Sequence, residues 1–263
     1  MEERLAMAEL LLKHGADPNR MSGHGPFRTT LMQVAEESKG NEKILELMIK
    51  HGGIFRPQDL SLHEKFRFAD FGDTNTLESL KFYLDKGADP NERGPIGTPF
   101  LTEVVSGLNR KRNDESTGES SAMVVRLLLD RGADMNAQDT FGRTVLSEAV
   151  EGGDVAVVRL LLDRGAKFGE RDGSGKILEK AARSRNTEGK VALLKLLIER
   201  GMGPVTDQAI IFAWWNKEAR DFLLANSNRS LDDFDILDTG ELRSVRVKQP
   251  HAKEAYIKPN RRS

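Results

Sequence analysis

Apolar residues fall at helical spacing in short blocks along this chain, and a glycine cuts off each block. In residues 121–134, SAMVVRLLLDRGAD, valines and leucines recur three and four apart before Gly132. Residues 154–167, DVAVVRLLLDRGAK, repeat the pattern before Gly165. Four further blocks end on Gly15, Gly52, Gly87 and Gly201, so the six glycines are separated by 37, 35, 45, 33 and 36 residues. Glycine enters the left-handed conformation that ties off the last carbonyls of a helix. A second helix is predicted upstream of each terminal one, clearest in residues 139–154, DTFGRTVLSEAVEGGD. There Asp139 and Gly142 mark a turn, Thr144 a helix start, and Gly152-Gly153 the connection to the next helix. The unit is turn, helix, helix, turn, and a fixed period of this size predicts a stacked array.

The unit resembles the ankyrin repeat, about 33 residues long, whose first helix opens on T-P-L-H-x-A. Residues 137–163 match best in length, and Thr98-Pro99-Phe100-Leu101 and Thr29-Thr30-Leu31-Met32 are degenerate forms of the helix start. None keeps the histidine, whose place is taken by Met32, Leu101 and Ser147. The resemblance covers residues 1–227. It implies an all-α solenoid of stacked helix-turn-helix units with short hairpin-like turns: about five repeats, a partial N-terminal helix and a degenerate C-terminal cap.

Residues 3–14 read as a second helix with no first helix before it. The repeats then run over residues 19–55, 56–91, 92–136, 137–168 and 169–202. The second is the most divergent, because FRFADFGDTN, residues 66–75, puts phenylalanines where a helix start is expected. The third carries an insertion between helices predicted at 98–106 and 121–131. Residues 109–121, NRKRNDESTGESS, have no large apolar side chain and are expected to form a mobile loop. Residues 207–225 have two short helical patterns without a closing glycine, as a terminal cap would. From residue 228 the repeat pattern stops: residues 231–241 hold five acids and no base, residues 242–263 seven bases and one acid. The composition predicts a tail that is flexible or draped on the body, with two blocks of opposite charge that attract one another.

Formal charge is -1, from 40 basic and 41 acidic residues, which gives no general attraction to nucleic acid or to an anionic membrane. Cysteine is absent, so disulfides, thiolate metal sites and cysteine nucleophiles are excluded. The acidic, periodic N-terminus is unlike a signal peptide, and no stretch has the length to cross a bilayer. These features point to the cytoplasm, with the nucleus as the alternative, and to a monomer without cofactor or membrane.

Residues 169–176, GERDGSGK, approach a phosphate loop, but Glu170 stands where the first glycine belongs and Ile177 replaces the hydroxyl residue. The five histidines show no metal-ligand spacing, and His14 and His51, each just before a closing glycine, suit helix capping. No serine-nucleophile elbow occurs. Trp214 and Trp215, about 100° apart on a helix, predict one buried plug and one exposed ring.

No enzyme signature remains, and the resemblance implies a non-catalytic scaffold that binds a protein partner on the concave side of the stack. By the same resemblance the contact residues are those at turn tips and at the ends of first helices. These are Phe27, Arg28, Glu36 and Glu37 in the first repeat, and Arg93 and Ile96 in the third. Thr140, Phe141, Arg143 and Glu151 follow in the fourth, and Arg171, Arg183 and Arg185 in the fifth. Phe27, Phe141, Arg143 and Arg183 lead, since aromatic and arginine side chains most often carry interface energy. The sign changes from acidic in the first repeat to basic in the fifth, which suits a partner of opposite polarity along its length. Two alternatives stand beside this reading: a recognition fragment of a larger signalling protein or enzyme, and nucleic-acid binding through the basic tail, which the charge balance disfavours.

Overall fold

The computed structural model describes residues 2–22, 29–30, 42–54, 61–67, 69–71, 74–110, 117–168, 176–184, 186, 189–238 and 243–248. They form two compact units, Met1–Ala149 with Ala156–Gly169, and Val150–Val155 with Glu170–Ser263.

The first unit opens with α1 (Glu2–Lys13), followed by a short hairpin of β1 (Met21–Ser22) and β2 (Thr29–Thr30) and by α2 (Glu42–Lys50). Then come α3 (Leu62–Phe66), α4 (Thr74–Asp85), α5 (Phe100–Arg110) and α6 (Thr117–Asp130). α7 (Val145–Gly152) and α8 (Val155–Asp163) complete the fourth repeat, and their ends cross into the second unit. That unit adds α9 (Lys176–Arg183), α10 (Lys190–Glu199), α11 (Asp207–Ala213) and α12 (Lys217–Ala225). A 3-10 turn (Leu231–Asp233) leads into β3 (Phe234–Asp238), which pairs antiparallel with β4 (Arg243–Val247).

All six closing glycines take positive φ, between 67° and 97°. Each helix end is tied by the same two bonds. At Gly132 its own N–H donates to Leu129 O at 3.1 Å and the N–H of Ala133 to Leu128 O at 3.0 Å; at Gly165 the pair is Leu162 and Leu161. The nested bonds satisfy carbonyls a helix leaves orphaned.

The turns are also tied to one another. After the glycine, Asp17, Asp89 and Asp134 each accept the backbone N–H of the asparagine two residues on, at 2.8 Å. This Asx turn aims the asparagine amide at the next repeat. Asn19 donates to Gly52 O at 2.7 Å and accepts from Ile54 N–H at 2.9 Å. Asn91 repeats this with Gly132 O and Asp134 N–H at 3.0 and 2.7 Å, and Asn136 accepts from Lys167 N–H at 2.8 Å. Two ion pairs run beside these bonds, Arg131 with Asp85 and Arg164 with Asp130, both at 2.7 Å.

Three local expectations need correction. The first concerns the insertion, where α5 continues to Arg110 and α6 begins at Thr117, leaving only residues 111–116 outside the described residues. Ser121, at the boundary between the expected loop and the expected helix, is 2% exposed on a helix whose Val124, Val125 and Leu128 are buried. The second concerns the divergent repeat: its first helix is the earlier α3, capped by Ser61, whose hydroxyl accepts Glu64 N–H. Phe66 and Phe71 follow as core, with Tyr83 and Phe100 edge-on or tilted at ring distances of 5.9–6.3 Å. The third concerns the tail, where the acidic and basic blocks meet as a hairpin. Asp235 lies opposite Arg246 and Asp238 opposite Arg243 in the register.

In the second unit Trp214 is 5% exposed and Trp215 59%, the buried and exposed pair expected, although both stand in the turn between α11 and α12 rather than within a helix. Trp214 packs on Phe234 at 5.2 Å, with the Arg220 guanidinium over its ring at 5.4 Å. The hairpin therefore sits on the terminal helix pair through an aromatic contact.

Candidate interaction surface

Two neighbouring turns in the first unit form fingers. In residues 92–99, Arg93 and Pro99 make an antiparallel bridge, Gly94 N–H donates to Thr98 O at 3.0 Å, and Gly97 at φ 75° closes the tip. In residues 139–143, Asp139 N–H donates to Arg143 O and Gly142 N–H to Asp139 O, both at 3.0 Å. Thr144 and Ser147 then cap α7 reciprocally: each accepts the other's N–H, at 3.4 and 3.2 Å. Ser147, which stands where the repeat motif has histidine, thus bonds locally.

Arg93 Nη1 links the fingers by donating to Gly97 O at 2.7 Å and Gln138 O at 2.9 Å. Thr140 Oγ1 adds a longer bond to Ile96 O at 3.4 Å. The buried Asp139 carboxylate accepts the N–H groups of Phe141 and Arg143 at 2.8 and 2.9 Å and Arg143 Nε at 2.7 Å. Burial works against its ionisation, but these hydrogen bonds outweigh burial and hold the carboxyl below its ordinary value.

Arg143 is accordingly part of the finger. Its guanidinium also lies 5.5 Å from the centre of the Phe141 ring and 3.8 Å from Glu148. What remains open at the tips is apolar: Ile96 is 65% and Phe141 58% exposed. Behind the first finger, Glu92 accepts from Ser61 Oγ at 2.5 Å and Leu62 N–H at 2.6 Å, and His63 Nδ1 meets Glu103 at 2.7 Å. A Cβ at Gly94 would meet the Glu103 carboxylate and the His63 ring, which would have to shift to admit it.

Of the residues singled out from sequence, Arg93, Ile96, Thr140, Phe141 and Arg143 come together here. Arg93 and Arg143 hold the fingers rather than stand free. Glu151 is exposed near the end of α7. Arg183 is exposed on α9 in the second unit, with its guanidinium 4.9 Å from the Phe212 ring centre. Phe27, Arg28, Glu36, Glu37, Arg171 and Arg185 lie outside the described residues, as does most of the glycine-rich run 169–176. Sequence reasoning missed Asp139 as the organiser of its finger and Glu92 as the cap of α3. The D-x-x-G-R spacing from 139 to 143 carried a signal for the first; the 31-residue separation of Ser61 and Glu92 hid the second.

Among the described residues no group of three or more His, Asp or Glu is placed to hold a metal, and no helix is long and apolar enough to cross a membrane. The family model of ankyrin repeats (3 copies) matches residues 116–208, spanning α6 to the start of α11. Residues 116–208 are therefore ankyrin repeats, and the helix pairs and glycine-closed turns of the described residues fit an all-α repeat solenoid. Repeats of this family are generally protein–protein interaction modules and typically non-catalytic. No curated protein matches the chain.

Proposed function

We propose that this chain is a non-catalytic protein-binding module that takes its partner on the finger tips at Ile96 and Phe141. One observation carries the reading: the polar side chains of Arg93, Asp139, Thr140 and Arg143 are engaged in holding the fingers, while two large apolar side chains face solvent on adjacent tips. Scattered apolar exposure is ordinary, but two such residues on linked turns make a contact patch. The remaining acids and bases tune orientation. The chain works as a cytoplasmic binder in this reading.

The test is affinity capture with the full chain from lysate, partner identification by mass spectrometry, and a binding isotherm with the purified partner. An Ile96→Asp, Phe141→Ser double variant keeps the helical circular dichroism and loses binding by about 100-fold or more, as expected when two hot-spot contacts go. Unchanged affinity in that variant overturns the reading. Binding that disappears only on removing residues 249–263, with steep salt dependence, transfers recognition to the basic tail.

A further inference from the structure

α1 is apolar on two faces. It packs on α2 and buries Leu12, yet Met7, Leu10 and Leu11 are 57%, 53% and 54% exposed. These are three of the nine large apolar side chains exposed among the described residues; of the other six, Ile96 and Phe141 share the finger tips, and Ile54, Met123, Trp215 and Leu231 belong to separate helices and turns. A helix with apolar residues on opposite sides is built to be covered on both.

The exposed side has a definite charge pattern. At 100° per residue, Glu3, Met7, Leu10 and His14 share a stripe about 60° wide opposite Leu12, with Leu11 along its edge. An acid stands at one end and an imidazole at the other. His14 Nδ1 is held by Leu10 O at 2.8 Å, which leaves Nε2 for a partner. Lys13, already paired with Glu9 at 2.9 Å, points about 90° away from the stripe centre.

We propose that this stripe joins two copies of the chain, with α1 packed antiparallel on α1 of a second copy about a two-fold axis. The pattern is self-complementary in that arrangement and in no parallel one. Residues whose numbers sum to 17 face each other, so Met7 meets Leu10 of the second copy and Glu3 meets its His14. Antiparallel helix dipoles and the two Glu-His contacts favour the same orientation. With three large apolar side chains from each copy the interface is small and the dimer weak, on the order of 100 µM.

Sedimentation velocity of the full chain over a concentration series gives a mass rising from monomer to dimer. Leu10→Asp, at an exposed position, keeps the circular dichroism and weakens association by more than tenfold. Glu3→Arg weakens it about threefold, and adding His14→Glu restores it. Cross-linking gives an independent readout because the chain has no cysteine. With a copper–phenanthroline oxidant and oxygen to take the two electrons, Glu3→Cys mixed with His14→Cys forms a disulfide-linked heterodimer, whereas Glu3→Cys alone does not, since its two copies are about 16 Å apart. The finger-tip double variant dimerises normally, which separates this interface from the partner surface. A monomer mass up to about 1 mM, well above the expected dissociation constant, overturns the proposal. So does undiminished association of Leu10→Asp, or ready cross-linking of Glu3→Cys with itself.

Discussion

Arg164 reaches back one repeat to Asp130 at 2.7 Å, beside the asparagine bonds that join the same successive turns. The two kinds of tie differ in strength. The ion pair is partly exposed, 32% for Arg164 and 53% for Asp130, so solvent screens it. An asparagine bond satisfies backbone groups that have no other partner in the turn.

Loss of the asparagine therefore costs more than loss of the ion pair. Asn91→Ala, which removes the bonds to Gly132 O and Asp134 N–H, is expected to lower unfolding free energy by about 1–2 kcal/mol. Arg164→Ala lowers it by less than about 1 kcal/mol, and that loss fades in high salt. Urea titrations at two ionic strengths measure both, and amide exchange at Asp134 should accelerate in the first variant alone.

At Gly165 the penalty is conformational. Its φ is +83° and no atom lies within 4 Å of the position a Cβ would take. A substitution meets no steric obstacle from neighbours, and any loss reports backbone strain alone. Gly165→Val should destabilise by more than ~1 kcal/mol, whereas Gly165→Asn, which tolerates the left-handed region, recovers part of that loss. A Gly165→Val melting temperature equal to the parent's would contradict the closing-turn assignment.

Asp139 predicts an acid limb. Its folded pKa lies below the ordinary 3.8, so the unfolded chain takes up the proton first. The stabilisation is fully present above about pH 4 and is lost as pH falls through the folded value. Asp139→Asn is expected to be about 1–3 kcal/mol less stable at neutral pH, since an amide satisfies the Phe141 and Arg143 donors poorly. The gap to the parent should narrow below pH 4, a trend that urea titrations across pH will resolve.

The parts of the fold visible in sequence were those set by local rules. A glycine after an apolar block specifies a closing turn whatever surrounds it. Where tertiary contacts decided, sequence was misleading. Residues 117–120 look like loop because they are polar, yet they are the first turn of the helix that begins at Thr117. The tail looks flexible because it is charged, but the alternation of Phe234 and Ile236 against Val245 and Val247 also fits a hairpin, and Trp214 anchors it. At the finger tips, sequence found Arg143 but not its engagement with Asp139, which depends on how tightly the turn folds on itself.

The chain's two tryptophans, one buried against Phe234 and one in solvent, both belong to the second compact unit. Intrinsic emission excited at the indole band is therefore a local optical reporter, blind to the fingers and to α1. Circular dichroism, by contrast, sums helices from both units. Unfolding curves from the two signals separate if the units melt independently and superimpose if they melt together, so cooperativity can be measured in the unlabelled protein.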